Sequence, residues 1–321
     1  MGETEPGIRE TTVRLSGPVS LKATLECGQA FRWKPAVFPG RPGLYSAYRG
    51  VMGRVAVIVG QASPVTEEIL VAWDASFPLP SGRSASSGPA GGGDPSQAYV
   101  ERLVRRYFSD GDDIRAIEES LARMGGVMGE AVAHGRGLRI LTQDPWECLA
   151  SYVLSLNKNV PAISMSVEYL AACFGEPAGM GAFGFPAPHV LASQEVSSLR
   201  ESKCGFRDKY LHDAALKVAS REVDLDLLGT LPTEEARREL MRIRGVGPKV
   251  ADCVLLFAYH RLDVFPVDVW IARAVSRYFM GGKDVTPRAV REFGERYFGR
   301  LAGYAQEHLF YWIRDVRRNE P

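Results

Sequence analysis

The 321-residue chain is poor in several features that would assign a function at once. It has five cysteines, Cys27, Cys148, Cys173, Cys204 and Cys253, an odd number with no CxxC pair, which argues against a disulfide framework, a zinc site or an iron-sulfur cluster. Its longest near-apolar stretch, VADCVLLFAY at 250–259, is about half of the ~20 residues a membrane span requires, and no signal-peptide pattern is seen at the start. The expectation is a soluble intracellular protein of a reducing compartment, without a membrane partner. Net charge is also lacking: 39 Lys and Arg stand against 38 Asp and Glu, so no polyanionic partner is announced by the total. From Arg200 onward, however, 22 basic residues face 18 acidic ones, and any basic surface must be local. Neither an internal repeat nor a heptad array is present.

What is present divides into a β-rich beginning and a helical remainder. From Thr11 to about Trp73, TTVRLSGPVSLKATL, AFRWKP, GLYSAYRG and RVAVIVGQA set β-branched and aromatic residues between Gly and Pro breaks, which predicts an antiparallel sheet. FPLPSGRSASSGPAGGGDPSQ then reads as a surface loop over about 78–97. Beyond it the pattern is helical. DPWECLASYVLSLN opens with Asp144 as an N-cap, Pro145 at the first helical position and Glu147 placed for a capping box. Further helices are predicted over 195–203, 208–220, 233–243, 249–259, 269–279, 287–297 and 305–317. The fold class expected is α+β, with a small antiparallel β domain over 1–112 and a larger all-α domain over 113–321.

RIRGVGPKVADC, residues 242–253, joins two helices by a turn from Arg244 to Pro248 within a hairpin spanning about 234–259. Gly245 and Gly247 permit positive φ and close backbone approach, and Pro248 starts the second helix without an N–H. With Val246, this turn can present backbone N–H groups to a phosphate or pack two helices tightly. Lys249 stands at a helix N-terminus, where the macrodipole disfavours its charge. A neutral amine there is a nucleophile able to form a Schiff base; the alternative is a lysine reaching for phosphate. The helix 249–259 rises ~16 Å and the extended residues 260–267 span up to ~27 Å, so the chain can return Asp268 to Lys249. Asp268 is an ordinary N-cap taken alone; beside a nucleophilic lysine it can stabilise an oxocarbenium-like sugar. Cys253 lies four residues after Lys249, and Phe310 four after Gln306, which places each pair on one helix face.

LMRIRGVGPKVADC followed by VFPVDVW resembles the helix-hairpin-helix glycosylase superfamily, and the lysine form with VADC is similar to its 8-oxoguanine DNA glycosylase branch. GQAFRW, DPWECLASYVLSLNKN, GFRDKY and GYAQEHLF carry the resemblance along most of the chain. The resemblance implies a bifunctional glycosylase and AP lyase acting on duplex DNA with 8-oxoguanine opposite cytosine. Lys249 and Asp268 would be catalytic. Gly28 would offer a carbonyl to the lesion's N7–H, Cys253 and Phe310 would sandwich the flipped base, and Gln306 would read its Watson–Crick edge. Asn157 would fill the vacated space, Phe206 would wedge the duplex, and Arg207 would contact the orphaned cytosine or the backbone. No cofactor is implied, beyond a structural monovalent or divalent cation compatible with the hairpin–phosphate contact, and a monomer is expected. Two positions depart from eukaryotic members: Ala162 replaces an arginine and Trp270 a histidine. The first predicts weaker opposite-base preference, and the second makes the chain look bacterial, with a cytoplasmic or nucleoid location. The rivals are a monofunctional alkyl-purine glycosylase, which would not need Lys249, and a DNA-binding module without activity.

Overall fold

The computed structural model describes residues 7–78 and 94–318. Five strands, β1 (Ile8–Val19), β2 (Lys34–Pro35), β3 (Ser46–Met52), β4 (Val55–Gln61) and β5 (Thr66–Asp74), form an antiparallel sheet in the order β1-β5-β4-β3-β2. Alternation along β1 buries Val13 and Leu15 and leaves Arg14 and Ser16 outside, the period-2 pattern of a half-buried strand. The first β-rich stretch, expected to contribute to the sheet through Leu25, does so only as far as Val19. Ser20 ends β1 and caps a short helix, Leu21–Glu26, by accepting the Ala23 N–H.

Most of the expected 78–97 loop lies outside the described residues. Its last part is helix, because Asp94 caps Pro95–Tyr107 by accepting from the Ser96 N–H. That helix buries Val100 and Val104 in one core with the sheet's Val57, Val71 and Trp73. Full burial of such a side chain stabilises by about 1.5–3 kcal/mol, which accounts for an amphipathic helix closing over the sheet.

Helices follow to the end of the described chain, interrupted by a two-stranded ribbon at Pro177–Gly179 and Ala182–Phe183. The helix predicted over 195–203 is instead Val196–Leu199 followed by an irregular turn, with Lys203 and Gly205 at φ 58° and 60°. Elsewhere spans agree with expectation to within a few residues: Pro145–Leu154, Asp208–Ala219, Thr233–Leu240, Pro248–Tyr259, Val269–Phe279, Pro287–Phe298 and Ala302–Arg318. Asp144 does cap its helix, accepting the Glu147 N–H at 2.9 Å. The Glu147 carboxylate turns instead to Arg32, 3.7 Å away. Among the described residues no helix is long and apolar enough to cross a membrane.

Arg139, fully buried, joins the sheet to the helices: its guanidinium donates to the carbonyls of Gly17, Pro18, Phe108 and Ser109. Such a group is tolerated in a core because each donor finds a carbonyl. Gln29 works beside it, donating to the Thr24 and Arg139 carbonyls and accepting from Leu141 N–H. The consequence is a fixed position for the preceding residue, Gly28.

Candidate active site

The lysine helix, Pro248–Tyr259, begins at Gly247 and ends at His260, which adopts a left-handed conformation with φ 55°. His260 Nε2 lies 3.0 Å from an Asp112 carboxylate oxygen, and this anchors the reversal. The extended return is pulled inward by Val264 and Phe265, both fully buried. Phe265 stacks on Phe298 at 5.7 Å and occupies the space where a side chain on Gly294 would have to sit. Asp268 then caps Val269–Phe279, accepting the Ile271 N–H at 2.8 Å.

Lys249, Asp268, Cys253, Gly28, Gln306 and Phe310 meet around one cavity of about 50 Å³. They arrive from four places: the lysine helix, the cap of the aspartate helix, the turn after Glu26, and the C-terminal helix Ala302–Arg318. Lys249 and Asp268 face one another across the cavity without an ion pair within 4.0 Å among the described residues, although the lysine's charge is felt at the carboxylate. Burial raises the Asp268 carboxyl above its ordinary range, opposed by the Ile271 N–H and by Lys249. Burial likewise pushes the Cys253 thiol up to about 12, so it is a neutral, apolar wall. The cavity has room for water but is far smaller than the ~300 Å³ at which ordinary ligand sites begin, so its walls must part to admit a purine.

Two groups are left waiting for partners. Gln306 is 5% exposed and its Oε1 has no hydrogen-bond partner. Gly28, at φ 104°, has a carbonyl that accepts nothing among the described residues, whereas the Glu26 and Cys27 carbonyls before it accept from Arg314 and the Gln29 carbonyl after it accepts from Gln143. A side chain at position 28 would touch Arg314 Nη1 at 3.3 Å and the Phe310 ring at 3.5 Å, contacts that small shifts could accommodate, so it is the positive φ that calls for glycine.

Sequence reasoning missed Tyr152, Phe257, Glu307 and Arg314. Tyr152 and Phe257 stack at 5.7 Å as part of the cavity wall, and Lys249 Nζ stands 5.1 Å from the Tyr152 ring centroid. Tyr152 is legible only as an apolar helical residue, and Glu307 and Arg314 only as charges on an amphipathic helix. Nothing local marks them.

A second face carries the remaining expected residues. Asn157 is exposed at φ 49°, and Phe206 is 55% exposed on the turn after Gly205. Arg207, expected to contact DNA, is instead buried: it donates to the carbonyls of Leu156, Asn157 and Cys204, with its guanidinium 4.4 Å from the Phe206 ring centroid. It braces the Asn157 loop against the Phe206 turn. At the hairpin, Gly245 has φ 84°, and a side chain there would strike Tyr210 at 2.6 Å. Val246 is not a phosphate contact in this arrangement, since its side chain is 6% exposed and its N–H donates to Ile243. Gly247 is extended rather than at positive φ; the space beside it is open, and no side chain caps the helix it begins. Among the described residues the N–H groups of Gly245 and Gly247 donate to nothing, and the first turn of the lysine helix adds further free donors. Trp270 is 39% exposed two residues after Asp268. Among the described residues no three His, Cys, Asp or Glu side chains cluster to hold a metal ion.

Residues 13–149 match the family model for the 8-oxoguanine DNA glycosylase N-terminal domain. The chain is similar to a probable N-glycosylase/DNA lyase of Methanothermobacter thermautotrophicus, 32% identical over 54% of this chain and 63% of that protein. It therefore spans less than two thirds of the length of that curated relative. Among solved structures it resembles MBOgg1 bound to a low-affinity DNA ligand, with 35% identity, a TM-score of 0.81 and coverage of 98% of both chains. It also resembles the Clostridium acetobutylicum 8-oxoguanine glycosylase/lyase bound to duplex DNA with cytosine opposite 8-oxoguanine, at 27% identity, TM-score 0.78 and coverage of 97% and 98%. With its sheet, hairpin and lysine–aspartate cavity, and an alignment to MBOgg1 along nearly its whole length, the chain belongs to the 8-oxoguanine DNA glycosylase family of the helix-hairpin-helix superfamily.

Proposed function

We propose that this chain excises 8-oxoguanine from duplex DNA, opposite cytosine, and cleaves the strand at the resulting site as an AP lyase inside the cell. The observation that carries the reading is the meeting of Lys249 and Asp268 in one buried cavity whose rim holds two unpartnered acceptors, Gly28 O and Gln306 Oε1. Oxidation converts guanine N7 from an acceptor into an N–H donor, so the Gly28 carbonyl would accept from the lesion. Guanine would set two acceptors against each other in a dry pocket, a strong basis for rejection.

The free hairpin N–H groups, Gly245 and Gly247 among them, hold a phosphate, Phe206 wedges the duplex, and Asn157 takes the space of the extruded base. The Lys249 amine attacks C1′ as the glycosidic bond breaks, and the Asp268 carboxylate stabilises positive charge on the sugar. Ring opening leaves a Schiff base on Lys249, and loss of a C2′ proton expels the 3′ phosphate. These side chains supply the chemistry without a cofactor.

The test is a duplex carrying one 8-oxoguanine, incubated with borohydride. Wild-type protein forms a covalent adduct that Lys249→Ala abolishes. Absence of a wild-type adduct rejects the lyase reading, and base excision that survives Lys249→Ala assigns a monofunctional glycosylase instead.

A further inference from the structure

Lys249 and Asp268 account for the proposed steps and leave Glu307, another charged wall of the same cavity, without a task. Glu307 is 3% exposed, and its Oε2 has no hydrogen-bond partner. A buried carboxyl with one oxygen unsatisfied costs stability wherever it serves only packing.

The groups facing it come from every surrounding element. Arg314 lies on its own helix, Cys27 on the turn before Gly28, Lys249 and Cys253 on the lysine helix, Asp268 at the aspartate cap, and Tyr152 across the cavity. Burial pushes the Glu307 carboxyl up to about 7; Cys27, Arg314 and Lys249 pull it down, and Asp268 pushes it further up. Asp268 cannot easily serve as the proton acceptor, because the sugar cation needs its charge and one of its oxygens already caps a helix. Two carboxyls in unlike environments divide such work.

We propose that Glu307 is the proton shuttle of this cavity: it takes the proton that Lys249 must lose and returns it to the departing purine. The inference rests on the glycosylase reading above. Glu307 as carboxylate accepts a proton from the Lys249 ammonium, leaving a neutral amine. The amine nitrogen bonds to C1′ as the C1′–N9 bond breaks, and that electron pair leaves with the purine. The Glu307 carboxyl then protonates the purine and is again a carboxylate. The new C1′ ammonium passes one proton to O4′ as the ring opens, giving the Schiff base, so protons and electrons balance.

The test is Glu307→Gln, which keeps the volume and removes the titration. Single-turnover excision is followed from roughly pH 5 to pH 9, alongside binding to a duplex with a tetrahydrofuran abasic analogue. The wild-type profile should bend near pH 7. The variant should lack the bend and run about 10²-fold slower there, with binding to the analogue unchanged within about twofold, and Glu307→Asp should restore the bend in part. A Glu307→Gln profile with the wild-type bend and rate overturns the shuttle. If the variant does not fold, carbon-13 NMR of labelled wild-type protein replaces it: a glutamate carboxyl titrating near 7 that shifts on binding the analogue supports the assignment, and one that titrates below about 5 rejects it. A wild type that excises no 8-oxoguanine overturns the glycosylase reading and the inference with it. That result is distinct from an active wild type whose Glu307→Gln variant is unaltered.

Discussion

Lys249 Nζ lies 5.1 Å from the centroid of the Tyr152 ring, which itself stacks on Phe257 at 5.7 Å and meets Phe31 edge-on at 5.4 Å. The lysine is thus held by a ring face that three elements keep rigid. Tyr152→Phe retains that face and should trap DNA at close to the wild-type rate. Tyr152→Leu removes it, and adduct formation should fall about tenfold, the scale of a partly desolvated cation–π contact. Equal trapping by the two variants would show that the ring does not position the amine.

Arg207 holds two parts of the second face together rather than reaching out of it. Arg207→Ala leaves three carbonyls short of a charged donor and should cost about 2–3 kcal/mol of stability. Thermal melting without DNA checks this. A melting point equal to wild type would return Arg207 to the role of a DNA contact.

Ala162 sits on the first turn of Val160–Phe174, its N–H bonded to the Asn159 side chain at 3.0 Å. A methyl group gives no hydrogen bond to an orphaned cytosine, so the preference for cytosine over T, G and A should be weaker than an arginine at this position would give. Ala162→Arg should widen the preference for cytosine about tenfold, the scale of one good base contact. A cleavage panel of the four duplexes measures both, and a wild type already strict for cytosine contradicts the assignment.

His308 is fully buried, and burial lowers its imidazole from 6.5 to about 4. Below pH 6.5 the unfolded chain binds a proton that the folded chain refuses, so stability falls as pH drops toward 4 and levels off beneath it. The contribution over that window is about 3 kcal/mol. Urea titrations at pH 7 and pH 4.5 should show His308→Leu losing less stability on acidification than wild type. Parallel losses in the two proteins would refute a buried neutral histidine.

Helix caps, Pro at first turns and the 3.6 period act within a few residues, which is why Val269–Phe279 was predicted with its bounds and Asp144 with its bond. LKATL, by contrast, is apolar enough for either element, and the Ser20 side chain accepting from the Ala23 N–H goes with the helical one. Gly247 does not use the positive φ open to it, since a glycine's tolerance of that region does not oblige it to adopt it.

By itself the sequence determined the hairpin, the start of the lysine helix and the return that brings Asp268 back, because chain geometry over twenty residues limits where the second group can go. The four-residue spacings likewise determined which faces Cys253 and Phe310 share with their partners. Tertiary structure alone decided that Glu307 and Tyr152 meet at that cavity, that Arg314 holds the carbonyls before Gly28, and that Arg207 and Val246 turn inward. Arg314 and Cys27 are separated by 287 positions, and Arg207 and Asn157 by 50. Contacts at such range are set by the packing of whole helices against the sheet, and that packing leaves no periodic trace in either segment.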